Sequence, residues 1–278
     1  MTIKPNQPMV NEGYLYIYGL QAAYATTTTF TVGAGQARDS TNINDINLLS
    51  PVTVSSAVVG LNGIDTGAIA ATTLYYIYAI GDSLSNDTSL KAAAVQPFPP
   101  IQPPITVTPS TGGFFQPGGA IISLSAVAPA LPVGFDMFRL IGTVRTDGAG
   151  HFLSFGSFSN GSSVTNNFAD GISILAGGNA TVFTAVDVSA YVPKGATSVK
   201  VIAALTADAG GTRTAAFRAT GSASVAGQVI MSSPASTVTT ETLSIPVSTI
   251  AGVVSFDYLV SNAAAALSLS LVGYTLPV

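Results

Sequence analysis

Short runs of β-branched and aromatic residues, each closed by Gly, Asn, Asp or Pro, recur along this chain, and no stretch carries an apolar 3.6-residue period. Such a pattern builds strands and turns and leaves nothing from which to build a long helix. Strands are predicted over residues 14–18, 27–32, 43–48, 52–59, 74–80, 138–146 and 151–158. The second half adds 172–175, 181–188, 198–206, 213–219, 228–231, 237–245, 251–260 and 267–274. Asp147-Gly148 separates two of these runs as a hairpin turn would. Residues 90–95 are the one local helix former and are too few to stand alone.

The fold class expected is all-β, as two tandem β-sandwich domains with an irregular Pro/Gly-rich insertion in the first. Residues 1–13, rich in Lys, Asn, Gln and Pro, are expected as an extended N-terminal arm. Residues 14–157 then form an N-terminal β domain, interrupted by the insertion at 95–119, and 158–278 a C-terminal β-sandwich. The boundary is placed where Ser, Asn and Gly cluster, at 156–161. Eight predicted strands in the second domain, with turns between them, suit a sandwich of jelly-roll type.

Only 8% of the residues are charged, against about 25% in ordinary soluble proteins. Polarity therefore comes from Ser, Thr, Asn and Gly set among Ala and Val. That suits strands with one wet face, and it suits protein interfaces, whose cores are depleted in Lys, Glu and Asp. Nine Lys and Arg scattered singly, at a net charge of −4, give no footprint for nucleic acid. No apolar run approaches the roughly 18–20 residues that span a membrane, so no membrane insertion is expected. Residues 1–8 lack the apolar core of a signal peptide, and the expectation is a chain made in the cytoplasm without export. Absence of Cys excludes disulfides and thiolate chemistry.

Residues able to carry catalysis are sparse. His151 is the one histidine, beside the turn at 147–150, and no Gly-x-Ser-x-Gly elbow accompanies it. One His and carboxylates make a poor zinc set. Glycosidases need two carboxylates across a cleft. Glu12 and Glu241 are the two glutamates, and Asp65, Asp82, Asp87, Asp147 and Asp170 sit in turn contexts where Asp bonds its own backbone. Gly33-Ala34-Gly35-Gln36-Ala37-Arg38 starts like a dinucleotide fingerprint but ends in Arg, with no βαβ pattern around it. The expectation is a protein that is not an enzyme, with no catalytic residue, cofactor or metal site.

Two segments carry a resemblance. Asn62-Gly63-Ile64-Asp65-Thr66-Gly67 leads into Tyr75-Tyr76-Ile77-Tyr78, and Leu131-Pro132-Val133-Gly134-Phe135 is followed by Arg139-Leu140-Ile141-Gly142 and Thr146-Asp147-Gly148-Ala149-Gly150. Together they resemble a β module of tailed-bacteriophage virion proteins, tail fibres and other surface appendages above all. Ala190-Tyr191-Val192-Pro193 and Gly273-Tyr274 also resemble the C-terminal sandwich domains of phage fibre-like proteins. In the module, residues 35–41 form a turn before an Ile/Leu strand, and Arg38 and Asp39 are expected as a structural pair. The resemblance implies a virion structural protein, a tail fibre or similar appendage, that assembles with itself, as a trimer by analogy, and with other virion proteins. Alternatives are a capsid decoration or cement protein, and a domain that binds carbohydrate or a host receptor.

Alternate residues of a strand share a face, so Tyr14, Tyr16 and Tyr18 belong together, as do Tyr76 and Tyr78. With Phe98, Phe114 and Phe115 of the insertion they make the candidate contact surface, for a neighbouring subunit or a host surface glycan or receptor.

Overall fold

A computed structural model of the chain describes residues 16–83, 118–159 and 163–277. The expected arm, most of the insertion, and with them Tyr14, Phe98, Phe114 and Phe115 lie outside the described residues. Those described fold as an all-β protein of the β-sandwich type. The first part contributes β1 (Ile17–Gly19), β2 (Ala22–Thr26), β3 (Thr29–Val32), β4 (Gly35–Arg38), β5 (Asp45–Leu48), β6 (Val52–Ser55), β7 (Leu74–Gly81), β8 (Gly119–Ser123), β9 (Met137–Arg145) and β10 (Phe155–Ser159). The second contributes β11 (Ser163–Gly178), β12 (Thr184–Asp187), β13 (Ser198–Thr206), β14 (Arg213–Ala219), β15 (Val229–Ser233), β16 (Val238–Pro246), β17 (Ser248–Ile250), β18 (Val253–Val260) and β19 (Ala266–Pro277).

The C-terminal strands wrap as nested antiparallel pairs. β11 pairs with β19, β12 with β18, β13 with β16, and β14 with β15, so the first strand meets the last and the middle two close the hairpin. That wrap, laid out as β16-β13-β19-β11 facing β12-β18-β14-β15, is a jelly roll. Its core lies between the sheets, where the alternate residues Val199, Val201, Ala203 and Leu205 of β13 meet Phe217 and Phe256.

In the N-terminal part, β10, β2, β3 and β6 form one layer, and β8-β7-β9 form another. Phe30 anchors the core between them, its ring edge-on to Phe152 and Phe155 at 5.5 Å each. β1, β4 and β5 make a separate three-stranded sheet.

Two main cores form, one ending at Val164 and the other beginning at Phe168, with a smaller cluster around Tyr78 on the far face of β7. The sheet does not break with them. The boundary placed at 157/158 falls within β10, which pairs along its length with β11, and one eight-stranded sheet runs β16-β13-β19-β11-β10-β2-β3-β6. Of the Ser, Asn and Gly cluster at 156–161, residues 156–159 belong to β10, and 160 and 161 lie outside the described residues.

Several strands differ from expectation for local reasons. β8 begins at Gly119, inside the stretch read as insertion, and all five of its residues are buried. A strand covered on both faces shows no alternation to read. The run at 52–59 leaves the sheet after Ser55, whose carbonyl accepts the N–H of Val58 at 3.3 Å, so Val58 and Val59 end exposed. At 147–150 the turn is as expected, with the Asp147 carboxylate taking the N–H of Ala149 at 2.8 Å and of His151 at 2.9 Å. Its hairpin is short, because after the Thr146–Phe152 bridge the chain departs to pair with β11 and β2.

The two resemblance segments are folded onto each other. β7 pairs with β9 from Leu74 opposite Arg145 to Gly81 opposite Met137, and Ile64 bridges Ile122 of β8. Asp65 Oδ2 accepts the N–H of Ala130 at 3.0 Å, and Thr146 Oγ1 donates to Ala70 O at 2.6 Å. Asn62 adopts a left-handed φ of 59°, which Asn tolerates well, and its Oδ1 takes the N–H of Ala120 at 3.1 Å. Gly63 is required by contact: a Cβ there would stand 2.1 Å from Val58 O. Gly63→Ala is therefore expected to cost about 1–3 kcal/mol of stability as overpacking against backbone. Gly148→Ala, with nothing within 4 Å of its Cβ, is expected to stay within about 0.5 kcal/mol. Denaturant unfolding of the two variants checks the contrast.

Candidate contact surface

Tyr16 and Tyr18 share a face, as do Tyr76 and Tyr78, but the faces differ in what covers them. In β1, Ile17 is buried and its neighbours Tyr16 and Tyr18 turn the other way. Tyr18 is 77% exposed and free to meet a partner. Tyr16 is half-buried and held: its O–H donates to Asp45 Oδ1 at 2.9 Å, and Arg38 Nε stands 3.3 Å from the same oxygen. Burial and that carboxylate together push the Tyr16 hydroxyl up to about 12.

Tyr78 is corrected from contact surface to core, at 1% exposure. Tyr75, Ile77 and Ala79 of β7 face the main N-terminal core, and Tyr76, Tyr78 and Ile80 face the other way. Leu131, Phe135, Phe138 and Leu140, from β9 and the loop before it, cover that second face. Phe138 meets the Tyr78 ring edge-on at 5.8 Å, and the Tyr78 O–H donates to Ser125 O at 2.7 Å. Tyr76, at the rim of the same cluster, is half-buried. Burial raises the pKa of both hydroxyls.

Arg38 and Asp39 do not pair with each other. Arg38 turns to Asp45 and donates to Ile43 O at 2.7 Å. Asp39 instead organises the loop at 39–44, accepting the N–H of Ile43 at 2.9 Å and of Asn44 at 3.3 Å, and the hydroxyl of Thr41 at 2.8 Å. Burial works to raise its pKa, but those donors outweigh it and hold the carboxyl below the usual carboxylate value. Beneath it lies Arg139, buried on the core side of β9, with Nη1 3.5 Å from Asp39 O.

A second polar cluster joins the two halves. Thr143 of β9 hydrogen-bonds the hydroxyl of Tyr274 of β19, and the Arg145 guanidinium lies 4.6 Å over the Tyr191 ring. Burial raises the Tyr274 hydroxyl far above an ordinary tyrosine. Carboxylates elsewhere are held by neighbours. Arg213 grips Asp208 with two N–H groups, and Asp257 takes Arg218 Nε at 3.2 Å and Thr220 Oγ1 at 2.8 Å. His151 Nδ1 lies 3.6 Å from Asp147 Oδ2 at an exposed turn. Among the described residues no group of three or more His, Asp or Glu side chains is placed to hold a metal ion.

Sequence reasoning missed an apolar patch. Val58, Val59 and Leu61 on one loop, and Leu124 and Val127 on another, are exposed, Val127 at 84%. The loops are stitched together by the Ile64–Ile122 bridge and the Asp65–Ala130 bond. Residues 118–135 contain no charged side chain, a signal readable in the chain but overlooked beside the tyrosines.

Because the folded Asp39 carboxyl titrates below its unfolded value, its contribution is complete above the ordinary pKa of 3.8 and is lost as pH falls through the lower folded value. Asp39→Ala is expected to cost about 1–3 kcal/mol at neutral pH, by orphaning buried N–H groups. It should also flatten the acid limb of thermal stability below pH 4; an unchanged acid limb would contradict the role given to this carboxylate. Tyr78→Phe is expected to cost about 0.5–1.5 kcal/mol, and Tyr18→Ser to stay within about 0.5 kcal/mol, both read by thermal melts.

No family model and no curated protein matches the chain. Among solved structures, the infectious bursal disease virus VP2 subviral particle is similar at 13% identity, covering 98% of this chain and 75% of that one, with a TM-score of 0.19. A likeness at that level carries no argument about fold or role.

Proposed function

We propose that this chain is a structural component of a tailed-phage virion, a tail-fibre or similar surface-appendage protein that assembles with copies of itself and with other virion proteins. The observation that carries the reading is the joining of the two resemblance segments into one β unit, with the side chains of Asn62, Asp65 and Asp147 all bonding backbone N–H groups of that unit and Gly63 fitting against Val58 O. A motif whose polar residues are engaged by backbone argues for a scaffold. The low-charge surface, with Tyr18 and the uncharged loops at 58–61 and 124–127 exposed, suits large protein contacts.

Capsid decoration is the second reading, favoured by the jelly-roll wrap, which viral capsid domains share with lectins. Fold alone does not assign function, so the wrap ranks below the motif in weight. Immunogold labelling of purified particles, with an antibody to this chain, tests both. Label on tail appendages is the expected result. Label over the capsid shell would replace the first reading by the second, and particles without the chain would overturn both.

A further inference from the structure

We propose that two copies of this chain associate through β16, strand to strand and antiparallel, about a two-fold axis at Thr242. This inference stands on strand register alone and goes beyond the virion reading, to which it adds a self-contact.

β16 is one edge of the eight-stranded sheet, nine residues long, and pairs with β13 from end to end without a register shift. Its direction of bonding can be worked out. At the two ends of this ladder Ala207 N–H donates to Thr237 O and Val247 N–H donates to Thr197 O. Odd-numbered residues therefore exchange bonds with β13, and the N–H and C=O of Val238, Thr240, Thr242 and Ser244 point off the edge. Among the described residues no other backbone group pairs with them. Natural sheets blunt such an edge with Lys, Pro, a bulge or a short strand. β16 has no Lys and no bulge, its Pro comes at the last position, and Glu241 is its one charge.

The opposite edge of the sheet is treated differently. β6 has four residues, and the N–H of Ser55, which points away from β3, is taken by Asn62 O at 3.0 Å. The β6 edge is short and one of its outward N–H groups is taken, whereas the β16 edge is long and open among the described residues.

The strand is complementary to itself in one register. With Thr242 facing Thr242 across the axis, Thr240 faces Ser244 and Val238 faces Pro246, so the outward groups meet along the whole strand. Pro246, which lacks an N–H, falls at the end of the ladder, where its carbonyl still accepts. Glu241 then faces Leu243. Moving the axis to residue 241 would set Glu241 against Glu241, a direct like-charge opposition. Moving it to residue 243 would bring Pro246 opposite Thr240 and shorten the ladder. Thr and Ser at the outward positions offer no bulk or charge against close approach.

Sedimentation of the full chain over a concentration series tests the proposal, with Thr242→Pro, Thr242→Lys and Thr53→Pro compared. The expected result is a wild-type mass rising from 28.0 kDa toward twice that value. Both Thr242 variants should stay at the single-copy mass with unchanged circular dichroism, since the N–H of residue 242 is not used by β13. Thr53→Pro, whose altered N–H points off the β6 edge, should associate as wild type does. As a second measurement, the natural chain has no Cys, so Thr242→Cys should give a covalent two-copy species with a short bis-thiol linker and Thr53→Cys should not. A wild-type mass fixed at one copy, association undiminished in Thr242→Pro, or linkage by Thr53→Cys in place of Thr242→Cys would each overturn it. None of these outcomes touches the location on a particle, which the labelling experiment reads separately.

Discussion

One strand holds this molecule together. β11 runs sixteen residues, and its side chains enter both cores, Val164 the N-terminal one and Phe168 the C-terminal one. It pairs with β10 on one side and with β19, the last strand of the jelly roll, on the other. A register shift between Asn167 and Ile172 separates the part of the strand that enters the N-terminal core from most of its run along the jelly roll. Gly273 of β19 sits at that point, where a Cβ would stand 2.4 Å from Asn166 O, so close approach of the two strands depends on glycine. The bond between Thr143 and Tyr274 ties the β9 layer to β19, and Arg145 over the Tyr191 ring ties it to the loop between β12 and β13. Without β11 the jelly roll would lack the partner of its closing strand, and the N-terminal sheet would lack its bridge.

The scarcity of charge has two consequences. Among the described residues three arginines are used as internal ties, Arg38 with Asp45, Arg213 with Asp208 and Arg218 with Asp257, and a chain with 8% charged residues sets few like charges against a neighbour. Surfaces made of hydroxyls, Ala and Val also need little desolvation to become interfaces, because no ion has to leave water. Backbone groups at a sheet edge are then among the strongest recognition elements remaining. Tyr18, the loops at 58–61 and 124–127, and the β16 edge are where this economy leaves the molecule open.

Much of this was legible in the chain. Turn chemistry was legible at Asn62-Gly63, where Asn takes the left-handed φ, and at Asp147-Gly148, where the carboxylate bonds N–H groups two and four residues on. Most strands, including β7 and β13, were found from their apolar and β-branched runs. What could not be read is non-local. Period two told that Tyr76 and Tyr78 share a face, but not that Phe135 and Phe138 would cover it. β8 hid because both its faces are buried. The hairpin at 147–150 could be foreseen, while its early parting was decided by the competing partner β11. The cluster at 156–161 has the composition of a linker, yet residues 156–159 pair with β11, a partner that composition does not reveal. Arg38 and Asp39, adjacent in sequence, were expected to pair, yet each found a better partner a few residues on. That β16 would be an edge follows from topology alone.

If β11 joins the two sandwiches as described, they must unfold together. Scanning calorimetry of the full chain, comparing calorimetric with van't Hoff enthalpy, reads this directly. The account predicts a single transition with a ratio near one. Two separable transitions, one for each core, would contradict it.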